Sequence, residues 1–479
     1  MKINYTVKVF LALTMVACKD EFLELAPISS ANTSTFYKTS SDMLQAVNGA
    51  YSALQLRGQY GTYYIVSEIP SDDTAPPLSG SITDQDEFDK FYLRTTNPLL
   101  AERWSDGYRG IYRCNTVLNR IASVPMDEML KKRITGEAKF LRALMYFNLV
   151  RVFGDVPLVV KEITDTNEGY AYGRDPAAEV YAQIIRDLSE AESVLPPNHT
   201  GANSGRATNG AAKALLGKVY LTLKRFPEAV AKLKEVADLE TSGIYGLMPT
   251  YAEVFKTANK NGKESVFAVQ YRKGNLGEGS GFANLYAPQV SGNAVIAFGG
   301  DGNNRPTADL EKAYEVGDIR RDVSMATSYI NAQGVKVDFY HVKKYADPPV
   351  TKYDSEDNWP VIRFADVLLM YAESLNETGR TEEALPLLNR IRTRATLAGK
   401  GSLTQLEMRL ALENERRVEL AFEGHRWFDL VRTGRALEVL NAKAQAIGIT
   451  TKLTANNLVL PVPQSQIDVN PSLIRQNPF

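Results

Sequence analysis

The chain has 479 residues, 44% of them hydrophobic, with 24 tyrosines and only two cysteines. Its formal net charge is −1, and that balance excludes nucleic acid as a partner, since phosphate binding needs a basic stripe. Cysteines this few exclude a disulfide framework and a cysteine zinc site, so a chain of this size must rely on a large apolar core.

The N-terminus has the layout of a secretory signal. Lys2 and Lys8 precede an apolar run, Val9–Ala17, and then Cys18. That run is shorter than the ~20 residues a helix needs to span a bilayer. The Met15-Val16-Ala17-Cys18 run resembles a bacterial lipobox, with Met15 where Leu is more usual. Residues 1–17 are therefore expected to be a signal peptide, and Cys18 the lipidated first residue of a mature chain, 18–479. Removing residues 1–17 takes away two lysines and no acids, which moves the net charge from −1 to −3. No later stretch of about 18 consecutive apolar residues follows.

Apolar spacing predicts helices over Asp42–Leu56, Leu99–Ser123, Glu128–Val152, Ala177–Leu195, Thr208–Lys224, Pro227–Leu239 and Thr307–Glu315. Phe153-Gly154-Asp155 before Val156-Pro157 is a helix stop. Two stretches repeat at tetratricopeptide spacing. In Ala212–Val236, Gly217 and Ala229 lie twelve apart, where two helices approach and only small residues fit. In Ile362–Ile391, Ala372 and Ala384 keep the same offset, while Pro386 should remove one backbone bond unless its helix begins later. Short hairpins are expected near Ser265–Tyr271 and Asp338–Tyr345.

Between the helical blocks run long irregular regions, 58–97, 271–306 and 328–358, too aromatic for simple disorder. Sugar rings have apolar faces edged by hydroxyls, so a site for them wants a flat aromatic surface beside Asp, Asn or Arg. Tyr60, Tyr63 and Tyr64 cluster in one loop, followed by Phe88, Phe91 and Tyr92, with Asp72, Asp73, Arg94 and Asn97 nearby. The expected ligand residues are Tyr60, Tyr63, Tyr64, Asp72, Asp73, Phe91, Arg94, Tyr271 and Tyr286. Gly58 and Gly61 are read as turns that present a ring outward. Catalytic motifs are absent: no HExxH, no GxSxG, no P-loop, and three scattered histidines, His199, His341 and His425. Asp301-Gly302-Asn303 matches only a fragment of a calcium loop. No cofactor or metal is expected. A carboxylate pair of the glycosidase kind stays open among 56 acids.

The run Leu412–Gly434, LENERRVELAFEGHRWFDLVRTG, is the densest in the chain. It reads as helix, with Gly424 as a cap or close-packing point, and its acids and arginines are costly to bury unless paired. It is expected to be a structural ion-pair network, and Trp104, Trp359 and Trp427 to be core. This run, with Lys139–Pro157, Arg363–Asn376 and Asn389–Arg392, resembles the signature segments of the SusD/RagB family. Lys19-Asp20-Glu21 after Cys18 resembles the surface-export signal of Bacteroidetes lipoproteins.

The resemblance implies a mostly α, SusD-like fold: one domain over 18–479, tetratricopeptide-like helix pairs, long loop excursions near 58–97 and 271–358, and minor β-hairpins. It implies no enzyme but a lipid-anchored glycan-binding protein on the extracellular face of the outer membrane. Such a protein hands oligosaccharide to a SusC-like TonB-dependent outer-membrane transporter. Two rivals remain open: a peptide-binding member of the same family, and a secreted α-helical glycosidase.

Overall fold

The computed structural model describes residues 36–79, 83–450 and 452–478. Cys18 and the leader lie outside the described residues.

The predicted helices form close to their expected bounds, for local reasons. Helix α1, Ser40–Ser52, starts from a capping box in which Thr39 and Asp42 satisfy each other's backbone N–H. Helix α2, Pro98–Arg120, starts where Asn97 accepts from Leu99 N and Leu100 N. Helix α3, Glu128–Phe153, ends at Gly154, whose φ is +69°. Helices α4, Ala177–Val194, and α5, Asn209–Thr222, follow, with the Thr208 hydroxyl capping α5. Helix α6, Phe226–Ala237, carries Pro227 in its first turn, where no N–H is needed. The helix expected over Thr307–Glu315 is shorter, Ala308–Ala313, capped by Thr307.

Each long helix packs on the next, α2 on α3, α3 on α4, α4 on α5 and α5 on α6. Helix α7, Phe364–Glu377, lies on α6 and pairs with α8, Thr381–Arg394. The small residues at the repeat offset do what their spacing predicts. A Cβ on Gly217 would sit 2.6 Å from Leu233 Cγ, and Ala229, Ala372 and Ala384 are fully buried. Pro386 lies inside α8, not before it, so that helix tolerates one missing backbone bond.

The expected helix over Leu412–Gly434 is two. Helix α9, Gln405–Glu419, and helix α10, Arg426–Thr433, flank a tight turn in which Phe422 and Gly424 have φ of +65° and +81°. A Cβ on Gly424 would lie 2.6 Å from the Tyr63 ring, so glycine there permits close packing. Helix α11, Ala436–Ala446, packs against α10.

Three two-stranded antiparallel sheets brace this scaffold: β1, Thr74–Ala75, with β3, Arg305–Pro306; β2, Ser265–Val269, with β6, Trp359–Arg363; and β4, Met325–Ile330, with β5, Lys336–Val342. The hairpin expected near Asp338–Tyr345 is β4–β5. The local hairpin expected near Ser265–Tyr271 does not form. Its strand pairs instead with β6, about 90 residues on, because both strands are apolar and buried on α5. A main apolar cluster reaches from Ala50 to Ile474, and Trp104, Trp359 and Trp427 are all within it.

Candidate functional site

The α9–α10 run is the hub of a buried ion-pair network. Glu419 is fully buried and accepts from three arginines: Arg363 at 3.0 Å, Arg320 at 3.2 Å, and Arg394. Arg363 also reaches Glu264 at 2.8 Å and Glu423 at 2.6 and 2.8 Å. Burial alone would raise the Glu419 carboxyl, but Arg394, Arg363 and Arg320 outweigh it and hold it down to about 2. His425 is pushed down to about 3 by burial and by Lys218, whose Nζ lies 3.0 Å from its Nδ1. The imidazole is buried and neutral there, and its Nδ1 accepts from Lys218 inside the network.

The structure places most of the sequence-predicted ligand residues in this interior, which corrects the expectation. Tyr60, Tyr63 and Tyr64 are only 2–4% exposed. Asn148 donates to the Tyr60 hydroxyl at 3.0 Å, Arg151 donates to that of Tyr63 at 2.9 Å, and the Tyr63 ring stacks on Phe428. Tyr64 meets Tyr286 edge-on at 5.5 Å, and Tyr271 meets Phe282 the same way at 5.3 Å. A stacking platform needs an open ring face, and these rings have none.

Gly58 turns the chain inward, not outward. A Cβ on Gly58 would lie 2.1 Å from the carbonyl oxygen of Glu102, so Gly58 lets this turn press inward against α2. Asp72 is not free for sugar hydroxyls either. Arg426 grips it through two bonds of 2.8 Å, and Arg417 binds Asp73 at 2.6 Å. These pairs tie the 58–97 region to the signature run, so they are scaffold. Only Phe91, half-buried on Trp427, and Arg94, half-exposed, reach the surface.

Two outward aromatics anchored by one side chain lie elsewhere in the expected loop region 271–358. Phe298 is 50% exposed and Tyr353 43%. Both have φ of +67°, a state a bulky side chain adopts only when its surroundings enforce it. One buried side chain enforces both. Asn284 donates through Nδ2 to the carbonyls of Ala297, at 2.8 Å, and Gly299, at 2.7 Å, which flank Phe298. Its Oδ1 accepts from Tyr353 N at 2.9 Å. Its own carbonyl accepts from Asp301 N at 2.9 Å.

Polar groups lie beside the two rings, and the Lys352 ammonium sits over one face of Tyr353, 4.8 Å from its centroid, which leaves the other face for a ligand. The Tyr353 hydroxyl donates to Asp301 at 2.8 Å, Lys352 Nζ donates to the other oxygen of Asp301 at 2.9 Å, and Asn293 accepts from Phe298 N at 3.0 Å. Flat aromatic faces beside a carboxylate, an ammonium and an amide are what a sugar surface needs. Spacing could not have singled out these two among 42 phenylalanines and tyrosines, since a positive φ at Phe or Tyr leaves no trace in sequence. Among the described residues, no group of three or more His, Cys, Asp or Glu side chains could hold a metal ion, and no helix is long and apolar enough to cross a membrane.

Comparison with known proteins gives matches over most of the chain. Residues 320–479 match the model of the SusD family, and residues 21–221 match a model described as starch-binding associating with outer membrane. The chain is 29% identical to SusD-like protein P2 of Formosa agariphila, over 98% of each chain. It is 30% identical to a solved laminarin binding SusD-like protein, with a TM-score of 0.80, over 92% of this chain and 100% of that one. It is 26% identical to the solved surface glycan-binding protein A from Bacteroides fluxus, also at 0.80, over 92% of this chain and 99% of that one.

Proposed function

The chain belongs to the SusD family, and from that premise we propose that it captures a glycan on the Phe298–Tyr353 face and delivers it to a TonB-dependent outer-membrane transporter. The observation that carries this reading is Asn284. A single buried amide holds two outward aromatics in backbone states that cost of order 1–3 kcal/mol each. Strain of that kind is kept where a preformed surface is useful. The rings take the apolar faces of successive sugars, and Asp301 and Lys352 meet their hydroxyls. The polymer is read as bound, not cut: the Asp301 carboxylate is already committed to Lys352 and the Tyr353 hydroxyl, which suits it to hold hydroxyls.

The family members named above supply the first probes, laminarin and starch. Calorimetry of the purified protein against these, further polysaccharides and short peptides is expected to show glycan binding. Truncating one aromatic anchor typically costs ~2 kcal/mol or more. Phe298→Ala with Tyr353→Ala is therefore expected to weaken binding by at least about 100-fold while the unfolding temperature holds. Glycan affinity unchanged in the double variant would move the site elsewhere, and binding of peptides alone would replace the glycan reading.

The same proposal includes a leader over 1–17 and a lipid on Cys18 that anchors domain 18–479 at the extracellular face. Several acyl chains give stable anchoring where one gives only marginal binding. Cys18→Ala is expected to release the protein from membranes on fractionation; a variant that stays membrane-bound and surface-labelled would refute the anchor.

A further inference from the structure

Resting on the glycan reading above, we propose that a second sugar subsite lies in a groove of about 530 Å3 between the 91–96 strap and the 456–461 segment. That volume is within the ~300–1,000 Å3 typical of small-ligand sites. The groove shares no lining residue with the Phe298–Tyr353 face.

The strap is built to present an aromatic. Phe91 has φ of +59°, and its ring stacks on Trp427 at 6.2 Å and 29°. That packing holds a backbone reversal which turns the next side chain, Tyr92, outward at 50% exposure. Behind the strap, Gln464 N donates to Thr95 O at 2.9 Å and Thr95 Oγ1 donates to Gln464 Oε1 at 3.2 Å.

Beside Tyr92, the Arg94 backbone N–H donates to Glu87 at 3.0 Å, and the guanidinium is held by Glu87 and Asp84. Its side chain is still 55% exposed, and among the described residues Nη1 has no protein hydrogen bond. Two carboxylates already answer this one cation, so no surplus positive charge is left for a sulfated or uronic sugar. The groove suits a neutral sugar, with its ring on Tyr92 and its hydroxyls on Arg94 Nη1 and the exposed amide of Asn456. Leu460 and Pro461 supply an apolar wall.

A short helix of about two turns, Thr83–Asp89, links the groove to the segment that follows Asp301. Its Glu87 lines the groove, and its Gln85 donates to Asn303, two residues past Asp301, at 2.9 Å. A chain long enough to bridge that helix engages both sites, and the second contact then benefits from a high effective concentration.

Calorimetry with laminarihexaose and with maltohexaose tests this. A hexasaccharide that binds is expected to fill two sites per wild-type molecule. Tyr92→Ala with Asn456→Ala should leave one, with at least about a tenfold affinity loss at the other and an unchanged unfolding temperature. Phe298→Ala with Tyr353→Ala should leave the groove filled. A single wild-type site, untouched by the Tyr92/Asn456 pair and abolished by the Phe298/Tyr353 pair, overturns the groove and keeps the main face. Binding lost only through the Tyr92/Asn456 pair supports the groove and overturns the main face. No binding of either hexasaccharide to wild type overturns both.

Discussion

Replacing Glu419 with alanine is expected to destabilise the fold by about 3–5 kcal/mol, the cost of leaving buried cations without their partner. The residue is fully buried, and its carboxylate is shared by Arg320, Arg363 and Arg394, which come from three different parts of the chain. Arg363 keeps Glu264 and Glu423, Arg394 shares Glu264, and Arg320 keeps Asp318 and Glu415, but the one buried negative charge common to all three arginines is gone. A denaturant midpoint is the readout. Glycan binding by whatever fraction remains folded should be unimpaired, because Glu419 is fully buried and bonds to none of the residues proposed to meet the glycan. A stable variant that loses only binding would mean that the network is part of the site.

The same residue sets a pH dependence. Its folded-state carboxyl sits at about 2, below the ordinary ~4.3 of an unfolded glutamate. The unfolded chain therefore takes up the proton first as pH falls. The contribution is fully present above ~4.3 and is lost between there and about 2. Wild type should lose more stability than Glu419→Gln across that window; parallel curves would show that Glu419 carries no charge in the native state.

Asn284→Ala is expected to abolish glycan binding as fully as removing both aromatics, although Asn284 is buried and touches no ligand. The change strands the Ala297 and Gly299 carbonyls and the Tyr353 amide at once. Each lost hydrogen bond is worth about 0.5–1.5 kcal/mol net, in sum comparable to the strain of the Phe298 and Tyr353 backbones, which are then free to relax away from their outward state. Calorimetry should show the loss, with the α-helical far-UV signal intact. Retained affinity would mean that the two rings are fixed by something other than this amide.

Much of the scaffold was legible in the chain itself. Helix periods, caps such as Asn97 and Thr208, and the Gly217–Ala229 offset are local signals, and local physics decides them. The charged run over 412–434 could be read as structural because arginines and acids in an apolar segment must pair. The ligand face was legible only as a region. Tyr60, Tyr63 and Tyr64 look like a platform in sequence, yet their outcome depends on Asn148, Arg151 and Phe428 contributed from far along the chain. Gly58 is ambiguous in sequence because a glycine permits both an outward turn and a close inward approach, and only the position of Glu102 decides which. Asp72 and Asp73 were misassigned because their arginines lie more than 340 residues away. Long-range pairing of this kind also moved β2 from a local hairpin to β6.

The most direct test of the account is a crystal structure of the protein with laminarihexaose, or with maltohexaose if starch is the glycan that calorimetry selects. The expected result is successive sugar rings lying over Phe298 and Tyr353, with hydroxyls on Asp301 and Lys352. An oligosaccharide bound elsewhere, with both rings bare, would contradict it.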